Sequence, residues 1–360
     1  MKVIFVTTES FIDHSFTMAK ELKKKIDLKV IIIAKTKTDE ISFFCKELDA
    51  VFISRTRFIN PLSLFKEISL LNYIKKQRAE LVWFNSLSFF QSFLVKVFVK
   101  AYLVNVHDVE HHPGEKDYHG IISKKLIFLI HKKRIAVLSK TQQSIFESKY
   151  SFKPPLLQLP VIDYYEAAKN QLVSNPGEKE IVKFFFFGSL LPYKGFETLL
   201  EAAEIAEKKE LKFQINIYGK LNYNADIFTE KISKLKNINL FNAFINYKNV
   251  YDLYAQNDII IIPYKQVTQC GPMLIGYNQN IPLISSDLPG FREYVINGKS
   301  GLLFDNTPQG LADKMEEIII SPRKINEMSE SIKTEIKNRF SMQSLADSYI
   351  SVFQKAIQSP

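Results

Sequence analysis

Cysteine is almost missing from this sequence, with Cys45 and Cys270 the two examples among 360 residues. Two cysteines cannot build a disulfide framework, and no C-x-x-C pair suggests zinc or redox work. A reducing, cytoplasmic setting is the default expectation. No run approaches the roughly 18–20 apolar residues that span a bilayer. The opening MKVIFVTTESF meets polar residues at once and lacks the length and small-residue cleavage site of a signal peptide. There is no repeat of solenoid type, no H-E-x-x-H, and no RNP-like or helix-turn-helix signature. Nucleic acid is therefore not an expected partner.

What is present suits a folded chain, with 46% apolar and 24% charged residues and length enough for two cores. The charge is uneven. Residues 1–165 hold 26 Lys and Arg against 16 Asp and Glu, while residues 166–360 hold 22 against 22. The whole excess of +10 lies in the first half. That asymmetry on its own points to an anionic partner there, a membrane surface, a phosphorylated acceptor or nucleic acid, or else to a well-solvated basic face.

Short apolar runs alternate with helical patterns, which predicts an α/β chain with parallel sheets. KVIFVTT, LKVIIIAK, AVFISR, LVWFNS, YLVNVHD and RIAVLSK read as strands of a first domain over 1–165. Ser139 reads as the N-cap of a helix through Phe146. Residues 166–180 read as a linker. IVKFFFFGS, KFQINIYG, INLFNAF, DIIIIPY, IPLISSD and GLLFD repeat the grammar in a second domain, 166–340. Helices are expected from Phe196, near 226–236 and 249–256, from Gly271, at Arg292 and over 309–320. A last helix within 341–360, with Leu345, Tyr349, Val352, Phe353 and Ala356 on one face, is expected to cross back to the first domain. Both domains read as doubly wound and Rossmann-like. Ligands in such folds bind outside the carboxyl ends of the strands, so a cleft faced by both domains is the expected site.

Two segments carry chemistry. In FFFFGSLLPYKGFETLL, residues 184–200, a strand ends at Gly188 and Lys194-Gly195 stands at the mouth of a helix. Backbone amides at a helix start and a nearby ammonium suit a diphosphate, and Gly195 would allow close backbone approach. A surface lysine beside a capping glycine would look the same. In the second segment, 266–304, the loop Gln269-Cys270-Gly271 opens a helix with Pro272 in its first turn. The amides of Cys270, Gly271 and their successors would converge on an anion. Gly290 and Glu293 are expected to open the next helix, with Glu293 favoured there by the helix dipole.

In this order and separation the two segments resemble the donor-binding domain of GT-B glycosyltransferases, specifically glycosyltransferase family 4. The family pattern reads here as Gly188, Lys194-Gly195, Gly271, Ile281-Pro282-Leu283-Ile284 and Pro289-Gly290-Phe291-Arg292-Glu293. Upstream, VNVHDVEHHPGE resembles the strand end at which a family histidine meets the donor sugar, and His107 is that position. Asp108 beside it would cap the next turn, and His14 matches a looser tendency of the first strand–helix loop. The resemblance implies a GT-B fold and a retaining transfer from a nucleotide-sugar. The basic first half would suit a lipid-pyrophosphate-linked acceptor at the inner membrane face, and a growing glycan is the other expected acceptor. The resemblance implies no metal cofactor, and no Asp-x-Asp pair is present to hold one. Three positions depart from the pattern. Ser189 replaces an arginine, and the family's paired glutamates fall on or next to Val267 and Ile275, while Gln269-Cys270-Gly271 looks like a Gln-Ser-Gly variant.

Rival readings remain open on the same residues. His107, Asp108, Glu110, His111, His112, Glu115 and His119 offer enough nitrogen and oxygen for a zinc or manganese hydrolase site. The departures at the donor motifs would also suit an inactive scaffold or a basic binding protein. FFQSFLVKVFVK, 89–100, reads as a crossover helix or as a membrane-facing stripe.

Overall fold

The computed structural model describes residues 1–55, 62–110, 118–162, 181–221 and 223–358. They divide into two units. One takes the described residues from Met1 to Pro160 together with those from Ser341 onward, and the other those from Val161 to Phe340.

The first unit is built on β1 (Lys2–Thr8), β2 (Asp27–Ala34), β3 (Val51–Ser54), β4 (Leu81–Phe84), β5 (Tyr102–Val106) and β6 (Ile135–Val137). All pairings are parallel, in the order β3-β2-β1-β4-β5-β6. Its helices are α1 (Ile12–Lys23), α2 (Asp39–Leu48), α3 (Leu62–Lys76), α4 (Phe89–Phe98), α5 (Tyr118–His131) and α6 (Lys140–Tyr150). Strands buried on both faces need near-continuous apolar runs, and stretches such as VIFV in β1 and IIII in β10 provide them. One core joins Ile4, Val6, Val82, Phe84 and Val104 to Leu70, Leu71 and Ile74 of α3, Val95 of α4 and Ile127 and Phe128 of α5. Caps fix where helices begin: Thr38 accepts from the Ile41 amide, Ser88 and Gln91 form a reciprocal capping box, and Ser139 accepts from the Gln142 amide.

The second unit repeats the plan with β7 (Val182–Phe187), β8 (Phe213–Tyr218), β9 (Ile238–Phe241), β10 (Ile259–Ile262), β11 (Leu283–Ser286) and β12 (Gly301–Phe304). Its parallel order is β12-β11-β10-β7-β8-β9. The helices are α7 (Phe196–Lys208), α8 (Ala225–Ser233), α9 (Val250–Ala255), α10 (Gly271–Asn278), α11 (Pro289–Arg292), α12 (Pro308–Ile320), α13 (Arg323–Ser331) and α14 (Lys337–Arg339). The chain then returns to the first unit as α15 (Met342–Gln358). Tyr349 of α15 donates its hydroxyl to the Leu157 carbonyl at 2.8 Å, and its ring meets the edge of Trp83 on β4.

Both sheets reverse their strand order at one place, between β1 and β4 and between β7 and β10. Open parallel sheets bind ligands at such switch points, off the carboxyl ends of the strands. The loops that follow these four strands and their neighbours β5, β8 and β11 carry the residues considered next.

Candidate functional site

In the second unit, β7 ends in Phe187 and the chain turns at Gly188, whose φ is +117°. A short 3-10 turn over Pro192–Lys194 leads to Gly195 and then α7. The fold brings Lys194 back over Gly188: a Cβ built on Gly188 would lie 3.0 Å from the Lys194 Nζ. The ammonium thus occupies the space that the absent side chain leaves. The Tyr264 ring lies 5.5 Å below it, within cation–π range. Cys270 is close enough to interact with it electrostatically.

This half-buried ammonium is held among weakly polar groups, and burial lowers it to about 8. A lysine without an opposing carboxylate gains most from an incoming anion, because the anion restores the charged form. Cys270 is the reverse case. It is 2% exposed, and burial pushes its thiol up to about 12, against the pull of the Met273 amide, Lys194 and the Tyr264 hydroxyl. It stays a neutral thiol and offers no nucleophile.

Gly188, Lys194 and Cys270 therefore meet at one place, and three details differ from the sequence reading. The close approach at Gly195 is to protein: a Cβ there would sit 1.7 Å from the Pro263 carbonyl oxygen, and φ is +64°. Gly195 docks the loop after β7 on the end of β10. The amide set at the α10 start is narrower than expected. Cys270 is the N-cap, with no side-chain cap hydrogen bond, and Gly271 is the first helical residue, but Pro272 has no N–H to offer. Glu293 does not open a helix. The turn Pro289–Arg292 precedes it, and Glu293 stands at its C-terminal end, where the dipole no longer favours a carboxylate.

The positions where the family pattern carries glutamates are given to packing. The Val267 side chain fills the space beside Gly290, whose Cβ would lie 2.9 Å from it, and Ile275 is buried within α10. Ser189 is exposed one residue beyond Gly188, and Gln269 precedes the α10 cap. One glycine escaped the sequence reading. A Cβ on Gly219, after β8, would meet the Gly188 carbonyl oxygen at 2.0 Å, so this glycine sets the turn at Gly188 from behind. The signal was available, since β7 and β8 both run into glycine as FFFFG and NIYG.

In the first unit, His107 and Asp108 follow β5 directly. The His107 ring stacks on Phe11 at 3.8 Å between centroids and 12° between planes. Its Nε2 lies 3.2 Å from Oδ1 of Asn85, the first residue after β4. The chemistry of the partners fixes the proton. The Trp83 indole can only donate, so Asn105 Oδ1 accepts it at 2.8 Å and the Asn105 amide group faces Asn85. Asn85 Oδ1 accepts that bond at 2.8 Å, which leaves His107 Nε2 as a donor to the same oxygen. The Asn85 amide nitrogen donates to Thr7 Oγ1 at 3.0 Å, Ser15 Oγ at 2.6 Å and the Phe11 carbonyl at 3.3 Å. One buried asparagine thus clamps the loop after β1, the end of β4 and the histidine after β5.

Of the other histidine-cluster residues, His111, His112 and Glu115 lie outside the described residues, as does the side chain of His119. The same holds for the side chain of His14 on α1. Glu110 pairs with Lys149. Among the described residues, no group of three His, Cys, Asp or Glu is arranged to hold a metal ion.

Residues 167–338 match the sequence model of the family described as glycosyl transferases group 1. An uncharacterized 41.2 kDa protein in a cps region of Klebsiella pneumoniae is 24% identical over 182 residues, 50% of this chain and 48% of that protein. The match thus spans about half the length of that relative. A glycosyltransferase from Rickettsia africae superposes with a TM-score of 0.75 at 17% identity, covering 100% of both chains. HepE from Anabaena, solved with UDP-glucose, gives 0.75 at 13% identity over 99% of this chain and 100% of its own. At these identities the structural likeness shows the fold, and that fold is GT-B.

Proposed function

We propose, from the premise that residues 167–338 form a group 1 glycosyl transferase domain within a GT-B fold, that this protein is a retaining glycosyltransferase. It moves a hexosyl group from a nucleoside-diphosphate donor to a glycan or lipid-pyrophosphate-linked acceptor. The relative from a cps region supports a place in polysaccharide biosynthesis, and HepE bound to UDP-glucose supports a nucleotide-sugar donor. The carrying observation belongs to this chain: the Lys194 ammonium, unpaired by any carboxylate among the described residues, lies over Gly188 beside the α10 N-terminus.

In the transfer, the bond from the anomeric carbon to the donor phosphate oxygen breaks and a bond to the acceptor oxygen forms on the same face. The acceptor proton passes to the departing phosphate. Lys194 and the Gly271 amide stabilise the charge that grows on the diphosphate, the work a metal ion does in other transferases. No metal is required on this reading. His107 acts in turnover and not in holding the nucleotide.

The test is a thermal-shift series with UDP, GDP, ADP and their sugars, in EDTA. A ligand at about 100 times its Kd stabilises a protein by about 2.7 kcal/mol. One nucleoside diphosphate is expected to raise the Tm by several degrees, undiminished by EDTA. No shift with any nucleotide, or a shift that EDTA abolishes, overturns the donor site as drawn.

The pH dependence has a definite sign. Lys194 sits near 8 without ligand, and a bound diphosphate raises it, so binding takes up a proton above that pH. Nucleotide affinity should hold below pH 8 and fall toward about tenfold per unit above it. Titration calorimetry across pH 7–10 reads this directly, and the fall should vanish in Lys194→Met.

A further inference from the structure

The first unit carries an exposed apolar surface. Helices α3, α4 and α5 lie side by side, with Leu70, Val95 and Ile127 turned to the sheet. Their outer sides are unusual. Phe65 on α3, Phe93 and Val97 on α4, and Ile122 and Leu129 on α5 are exposed, Val97 by 72% and Leu129 by 82%. Phe89, Phe93 and Val97 recur every four residues, so they form one stripe along α4, and the Phe89 and Phe93 rings touch at 5.3 Å. Half of the chain's large exposed apolar side chains among the described residues lie on this one layer.

Lysines flank that stripe. Lys66, Lys96, Lys100 and Lys125 are exposed, and none is paired with a carboxylate among the described residues. Glu67 is the one acidic residue on the three helices, and its carboxylate is turned inward to Ser88 at 2.9 Å and Gln91 at 2.7 Å. Those two bonds tie α3 to α4. The next pair is tied by His131, 1% exposed, which donates from Nε2 to the Ser92 carbonyl and accepts the Tyr102 hydroxyl, both at 2.7 Å. Burial lowers the pKa of His131, which keeps the tie neutral. The layer is a fixed platform with apolar side chains ringed by cations.

We infer that the outer face of α3, α4 and α5 docks on an anionic lipid bilayer. Aromatic and aliphatic side chains enter the acyl boundary, and the long lysine stems let their charges reach the headgroups. A protein partner would also cover apolar side chains, but a ring of unpaired lysines with its lone carboxylate turned away matches a negatively charged plane. On this assignment α4 is both the crossover helix between β4 and β5 and, on its outer side, the membrane-facing stripe. The inference deepens the proposed use of a lipid-linked acceptor. It fails separately, because vesicle binding needs no nucleotide and nucleotide binding needs no vesicle.

The test is co-sedimentation of the full chain with vesicles of one part phosphatidylglycerol to three parts phosphatidylcholine, beside pure phosphatidylcholine. Binding to the mixed vesicles is expected to exceed that to neutral ones at least tenfold and to weaken as salt is added. Phe93→Ser with Val97→Ser, and separately Lys96→Glu with Lys100→Glu, should each lower it at least tenfold. Phe244→Ser, a still more exposed aromatic in the second unit, should leave it unchanged. Absence of binding at low salt overturns the inference, and so does equal binding of wild type and both α4 variants. A concentration-dependent dimer that the Phe93 and Val97 changes dissolve, with no vesicle binding, reassigns the face to self-association.

Discussion

Lys194→Ala is expected to lower kcat/KM for the nucleotide-sugar by about 10- to 150-fold, the equivalent of about 1.5–3 kcal/mol for a charge-assisted hydrogen bond. Folding should change far less. The Lys194 ammonium is half-buried and lowered by burial, so its removal strands no described carboxylate and relieves a desolvated charge. What the protein loses is the stem packed toward Tyr264. Lys194→Met keeps an unbranched apolar stem and removes the charge alone, so it should lose activity as alanine does and keep the wild-type urea midpoint. Turnover and donor affinity unchanged in both variants would take Lys194 out of the site. A midpoint that falls as far as the activity would make it a packing residue.

The region around Lys194 also shows which features a linear sequence exposes. All twelve strands are found where the apolar runs lie, with ends within three residues, because strands covered on both faces advertise burial continuously. The Lys-Gly pair was legible because glycine after a strand and before a helix is a local event. The role of Gly195 was not, since the group it must avoid is the Pro263 carbonyl, 68 positions away and brought close by the sheet order. Glu293 shows the opposite error. An acidic residue near Pro-Gly looks like a helix opening, but the turn at Pro289–Arg292 ends before it and the next regular element is β12. Asn85 carried no signal at all. Its partners stand 20, 70 and 78 positions away, and a lone asparagine after a strand looks like any turn residue. Only the switch point between β1 and β4 makes it a hub.

That hub gives the second large expectation. His107→Ala should cut turnover by about a hundredfold or more, in the range seen when a positioned acid, base or hydrogen-bonding group is removed. Nucleoside diphosphate affinity should stay near wild type, since the proposed diphosphate contacts all belong to the second unit. The structure adds a finer test through Asn85. Because Oδ1 of Asn85 accepts from both Asn105 and His107, Asn85→Asp keeps acceptors for both, whereas Asn85→Leu removes them. The aspartate also places a carboxylate beside the imidazole, which raises the His107 pKa. Asn85→Asp should therefore move the acid limb of the kcat profile to higher pH, an effect that loss of packing does not produce. Asn85→Leu removes the partner of the Asn105 amide group and of Thr7 Oγ1, while Ser15 keeps its bond to the Phe11 carbonyl, and should cost about 1–3 kcal/mol of stability for each group left unsatisfied. His111→Ala and His119→Ala should do much less than His107→Ala. If His107→Ala turns over normally while either of those variants loses activity, the active histidine lies elsewhere in the cluster. If the Asn85→Asp profile matches wild type, Asn85 is structural and does not set the state of His107.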